Sequence, residues 1–120
     1  MDINGKRYDF DLYDADQGPV YMEHAQKIRT VAEAMRGNKS TDPHDLRAAI
    51  LKLTDAVRAM LDEVFGSGAS ADIMGVRNSL SAAISIIDQM NAECELQKRQ
   101  MEESAAKYSA NRAQRRASRS

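Results

Sequence analysis

Four features of this 120-residue chain carry side chains capable of chemistry: two histidines, one cysteine, a run of aspartates and a glycine-rich segment. A metal site would need His, Cys and carboxylates clustered at ligand spacing, yet His24 and His44 fall on different predicted helices and Cys94 stands alone. Asp9, Asp11, Asp14 and Asp16 resemble a calcium loop, but the glycine at its sixth position and the closing glutamate do not fall in place. Helix capping and a solvated strand face account for these aspartates. The stretch "GSGAS" after Phe65 lacks the Lys-Ser/Thr ending of a phosphate-binding loop, and no buried strand precedes it, so it reads as a linker between helices. Cys94 lies on an apolar helical face, where a thiol behaves as a small hydrophobe. "RRAS" at Arg115 to Ser118 fits a basophilic kinase site, a pattern too short to carry weight. With no catalytic signature in any class, the chain is read as a non-enzyme that needs no cofactor or metal.

The charges are distributed unevenly. Lys107, Arg112, Arg115, Arg116 and Arg119 close the chain with no acidic residue among them, which leaves 12 basic against 18 acidic residues for the remainder. An acidic body of net charge −6 thus ends in a basic appendage, a pattern typical of an interaction tail. Phosphate neutralisation is disfavoured as its role, because the acidic body repels nucleic acid and Tyr108 is the tail's one aromatic for base stacking. Contacts with protein, including neighbouring copies of the chain, are the preferred reading.

The elements that must position these residues are mainly helical. Ala, Met, Leu and Ile replace aromatics, which make up 5% of the chain, and the single cysteine excludes an intrachain disulfide. No apolar stretch approaches the roughly 18 residues that cross a bilayer, and no signal-like segment opens the chain, so a soluble cytosolic protein is expected. Asn4-Gly5 suits a tight turn between Ile3 and the segment Lys6 to Leu12, where Tyr8, Phe10 and Leu12 alternate with charged residues as in a half-buried strand. Asp14 and Gln17 offer a capping box, and Gly18-Pro19 a second start, for a first helix over residues 15–36 with Val20, Ile28, Val31, Ala32 and Met35 as its apolar stripe. "STDPHDL" starts a second helix, with Asp42 as cap, Pro43 at the first position, and apolar residues from Leu46 to Phe65 at three-four spacing. Ser70 or Asp72 caps a third, whose core face is Ile73, Val76, Leu80, Ala83, Ile84, Ile87, Met90 and Cys94. Beyond Cys94 this helix continues as a charged extension and then frays into the arginine tail. The expected fold is a mainly α bundle of three or more helices, with a small N-terminal β-hairpin over residues 1–12 and a long C-terminal helix. A helical domain spans 1–108, and 109–120 is a flexible basic tail.

Stripes of this kind usually form core. Some of their members, Leu53, Val57, Met60, Met74 and Met90, are also candidates for an adaptable groove that takes a partner helix, between the second and third helices. The tail residues Arg112, Arg115, Arg116 and Arg119 complete the candidate partner-binding set.

Together, "INGKRYDFDLYDAD", the helix ending "LDEVFG", "VFGSGASADIMGVRNSL" and "KYSANRAQRRA" resemble the small tail assembly chaperones of siphophages and prophages of Gram-positive bacteria. The resemblance covers nearly the whole chain. It departs at Ile73–Val76, where similar proteins carry an aromatic and paired glycines, and here a continuous helix is expected instead. The resemblance implies a homo-oligomeric protein of the host cytoplasm, absent from the mature virion. Its role would be to bind the tape measure protein, cover its apolar stripes and yield to tail tube protein during assembly. A tail or connector protein retained in the particle, or a small nucleic-acid-binding phage protein, are the alternatives.

Overall fold

The computed structural model describes residues 1–119, with side chains as far as Ala117. Its elements in chain order are a two-stranded hairpin, β1 (Asp2–Ile3) and β2 (Lys6–Arg7), and four helices, α1 (Gln17–Gly37), α2 (Pro43–Phe65), α3 (Ala69–Met74) and α4 (Leu80–Arg119). The mainly α architecture with an N-terminal hairpin and a long last helix is the one the sequence predicts.

The hairpin turns at Asn4 (φ 51°) and Gly5 (φ 82°), both in the left-handed region that Asn-Gly tolerates. The strands are antiparallel, with Ile3 opposite Lys6 and Asp2 opposite Arg7. One more rung follows, in which the Tyr8 amide donates to the Met1 carbonyl and the Met1 ammonium to the Tyr8 carbonyl. The second strand therefore stops well short of Leu12, yet the alternation survives: Phe10 is buried and Tyr8 and Leu12 half-buried, while Asp9 and Asp11 face solvent. Backbone pairing is replaced by glutamine side chains. Gln97 on α4 donates to the Phe10 carbonyl at 2.8 Å and accepts from the Leu12 amide at 2.7 Å. Gln17 accepts from the Asp11 amide and donates to the Asp9 carbonyl, so it does not return to Asp14 as a capping box requires. Asp14 caps the turn by itself, accepting from the amides of Asp16 and Gln17, which hold its carboxyl below the usual range.

Helix α2 begins as expected, with Asp42 accepting from the His44 amide and Pro43 in the first turn. It forms the centre of the fold: α1, α3 and α4 all rest on it. Val57, Met60 and Leu61 from α2 and Ile86 and Met90 from α4 are fully buried, each worth about 1.5–3 kcal/mol relative to exposure. Leu46, assigned to the apolar face, lies beyond the packed region and is exposed.

The third helix is not continuous. Gly75 takes φ 67° and ends α3, and the chain restarts at Leu80 with the Ser79 hydroxyl accepting from the Ala82 amide. This break places Val76 in solvent at 96% exposure and rotates the start of α4, so that Ala83, Ile86, Met90 and Cys94 form its buried face. Ile84, expected in the core, is 46% exposed. Arg58 holds the linker by bonding the carbonyls of Ser70 and Arg77 and the Asn78 side chain. The linker thus runs back along α2, and α4 sets off in the same direction as α2.

Helix α4 is helical to Arg119, with no break at residue 109. At 40 residues it is about 60 Å long. Its body contacts end near Gln97, and residues 98–117 are all exposed. The radius of gyration, 19.2 Å, exceeds the roughly 14 Å of a compact chain of this length for that reason.

Candidate partner-binding groove

Helices α1 and α4 both lean on α2, and an open groove of about 520 Å³ runs between them. Its floor is Leu53 and Met60 of α2. One wall is Tyr21, Ala25, Ile28, Ala32 and Met35 of α1; the other is Leu80, Ile84, Ile87 and Met90 of α4. Ala25 and Ala32 open the α1 wall, since larger residues at those positions would fill the space. Arg29 and Arg36 on one rim face Asp88 and Asn91 on the other.

The groove ends where the N-terminal strap crosses. Phe10 packs edge-on to Tyr21 (centroids 5.2 Å apart) and Phe65 (6.1 Å), and Tyr8 packs on Phe65 (5.1 Å). The Tyr21 hydroxyl reaches Asn91 at 3.5 Å, and burial pushes its pKa up. His24, buried on α1, pairs its Nε2 with Glu63 of α2 at 2.8 Å, and that contact holds the Glu63 carboxyl below its usual range. Asp62, one residue earlier, accepts from both the amide and the hydroxyl of Ser70 and so caps α3 from outside. That bond, with Gly66 (φ 109°) and Gly68 (φ 92°), is the physical content of the "LDEVFGSGAS" stretch.

Of the residues singled out from the sequence, Leu53, Met60 and Met90 lie on the groove floor and lower wall, each nearly buried. Val57 lies beneath them in the core. Met74 is half-buried on α3, away from the groove. Arg112, Arg115 and Arg116 are exposed on the α4 extension, far from this site, and the Arg119 side chain lies outside the described residues. The sequence reading placed the groove between the second and third helices and missed α1 as a wall. Its signal was present in Ala25, Ile28, Ala32 and Met35 at helical spacing. At the mouth, Ile84 was assigned to core and is exposed, whereas Ile87 is half-buried and packs on the core as expected.

Among the described residues no three His, Cys, Asp or Glu side chains are grouped to hold a metal ion, and no helix is long and apolar enough to cross a membrane. No buried side-chain polar atom among them lacks a hydrogen-bond partner. The groove presents apolar surface with a mixed-charge rim.

Fold and groove together define a small helical protein with an open apolar cleft and a projecting charged helix. The chain belongs to a family of unknown function, DUF6673, whose model matches residues 4–119. No curated protein and no solved structure matches it.

Proposed function

We propose that this protein is a non-catalytic binding protein whose α1–α4 groove receives an amphipathic helix, and that its partner is a phage tape measure protein. The observation that carries the reading is the unfilled groove, walled by Ile, Leu, Met and Ala from three helices with Ile84 exposed at its mouth. Aliphatic and thioether side chains repack around differing sequences, which suits a stripe that varies along a long helix. The choice of partner rests on the resemblance of the four sequence segments to tail assembly chaperones. A tape measure protein is a long helical chain whose apolar stripes have no finished burial partner. Many copies of a small acidic protein would cover those stripes and keep the complex soluble until tail tube protein displaces them. On this reading the protein acts in the host cytoplasm and leaves before the virion matures.

The test is co-expression with the tape measure protein encoded alongside it, followed by solubility and co-purification. Wild-type chain should solubilise and co-purify with it. Ile84→Asp, which places a charge at the groove mouth without burying it, should abolish both while keeping the wild-type melting temperature within a few degrees. Retained co-purification by that variant would refute the groove as the site. Presence of the protein in purified mature virions at stoichiometric amount would replace the chaperone reading with a structural one.

A further inference from the structure

We infer that the exposed part of α4 pairs antiparallel with the same segment of a second copy, so that the protein is a dimer joined through its projecting helices. The surface is apart from the groove, and the inference stands or falls independently of the function proposed above.

The first observation is continuity. The buried face of α4, Ala83, Ile86, Met90 and Cys94, continues at the same three-four spacing through Gln97, Met101, Ala105, Tyr108 and Arg112. Up to Gln97 this face is covered by α2 and the strap. Beyond it no other element among the described residues covers the stripe, and Met101 is 45% and Tyr108 65% exposed, with Arg112 of the next turn over the Tyr108 ring. A helix of about 20 residues with no packed face draws little stability from tertiary contacts, which supply most helical stability in proteins.

Charge then selects the occupant and its direction. From Glu93 into the near half of the extension, α4 carries Glu93, Glu95, Glu102 and Glu103 against Lys98 and Arg99, and the far half carries Lys107, Arg112, Arg115 and Arg116 with no acid. A parallel pair would set the far cations of the two copies side by side. An antiparallel pair sets each basic half against the other copy's acidic half, the arrangement that flanking charges specify in coiled coils. The register that matches the apolar stripes places Met101 of each copy on Tyr108 of the other. Ser104 and Ala105, both small, then meet at the two-fold axis and let the helices approach. In this register Arg112 of the second copy comes opposite Gln97, at the edge of the strap, beside a hollow of about 270 Å³ formed by Phe10, Asp11 and Tyr13 with Glu93, Gln97 and Met101 of α4. Asp11 and Glu93 supply its negative charge, and the second copy's Arg116 reaches Glu95.

The experiment is sedimentation equilibrium of the full-length chain together with directed disulfide formation. The wild-type protein should sediment at twice the 13.3 kDa chain mass. Its dissociation constant should rise at least tenfold between low and high salt. Arg112→Glu with Arg115→Glu should weaken the dimer by a similar factor or more, and adding Glu93→Arg should recover part of the loss. Arg112 and Arg115 are exposed, whereas Glu93 is half-buried and accepts from Gln97, so circular dichroism and a thermal melt check that helix content and the strap are kept. Met101→Cys and Tyr108→Cys proteins, mixed and oxidised, should form the mixed disulfide in preference to either like pair; native Cys94 is buried and does not compete. A chain that stays monomeric at about 100 µM overturns the inference, as does preferential joining of Met101→Cys to itself. A dimer indifferent to the double arginine reversal overturns it too.

Discussion

Gly18 lies in the first turn of α1, where helix propensity alone predicts that alanine stabilises by up to about 1 kcal/mol. The structure predicts the reverse. A Cβ at Gly18 would sit 2.0 Å from the Leu12 carbonyl oxygen and 3.0 Å from its carbon, and neither is a side-chain atom that can rotate away. Relief requires the strap to move by roughly 1 Å, which strains the Gln97 bonds to Leu12 and Phe10; overpacking of this kind costs typically 1–3 kcal/mol and each lost bond about 1 more. Set against the propensity gain, the net loss is roughly 2 kcal/mol, a drop in Tm of roughly 8 °C for a chain of this size. Thermal melts by far-ultraviolet circular dichroism measure it directly. Gly37→Ala is the matched control, because a Cβ there meets nothing within 4 Å. Gly37→Ala should melt at or slightly above wild type. If Gly18→Ala does the same, the close approach of strap and helix is wrong, and with it the account of how the N-terminus is held.

Three further predictions concern the same restraints. Gln97→Ala leaves the Phe10 carbonyl and the Leu12 amide without partners and should lower stability by about 1–3 kcal/mol in urea titrations, whereas exposed Gln100→Ala should not. Asp62→Ala removes both bonds to Ser70 and should cost about 1 kcal/mol by the same assay, as loss of a helix cap does. Asp72 on α3 binds Lys6 at 2.5 Å and the Tyr8 hydroxyl, and these bonds hold its carboxyl below the ordinary value and push the Tyr8 hydroxyl up. A depressed carboxylate stabilises the fold fully above its unfolded pKa of about 4 and loses that contribution as pH falls through the lower folded value. Carbon-detected NMR titration should place the Asp72 midpoint below that of an unstructured aspartate, and Lys6→Met should move it back up.

The helices were legible because their signals are local. Asp42-Pro43 starts α2 by satisfying one amide and omitting another, and the spacing from Leu53 to Val64 fixes the buried face over three turns. The hairpin was legible from Asn4-Gly5 for the same reason. What failed was continuity. Residues 75–79, opened by Gly75 at positive φ, separate α3 from α4, and a stripe read across them assigns Val76 to the core. Asn78-Ser79 carried the signal of a new start, but the apolar residues on both sides fit one helix well enough to mask it. The groove was only half legible: its floor residues are ordinary members of the α2 and α4 stripes. That α1 and α4 diverge depends on what lies between them, and spacing within one helix does not encode it.

The divergence has an identifiable cause. The chain has two phenylalanines and four tyrosines, and four of these six rings, Tyr8, Phe10, Tyr21 and Phe65, gather at one end of the bundle. Phe10 touches α1 through Tyr21 and α2 through Phe65, and its carbonyl is bound to α4 through Gln97. Its bulk thus joins all three helices where the strap crosses, while further along α1 the facing residues shrink to Ala25 and Ala32. Two helices separated by a ring at one end, with Ala25 and Ala32 interrupting the larger side chains of the α1 wall, do not close on each other, because closure would force the packed rings apart. The hairpin and strap, which an isolated two-stranded ribbon would not sustain, are held by Gln17, Gln89, Gln97 and Asp72 against the helices they separate. The N-terminal sixteen residues therefore act as a spacer between α1 and α4 at one end of the groove.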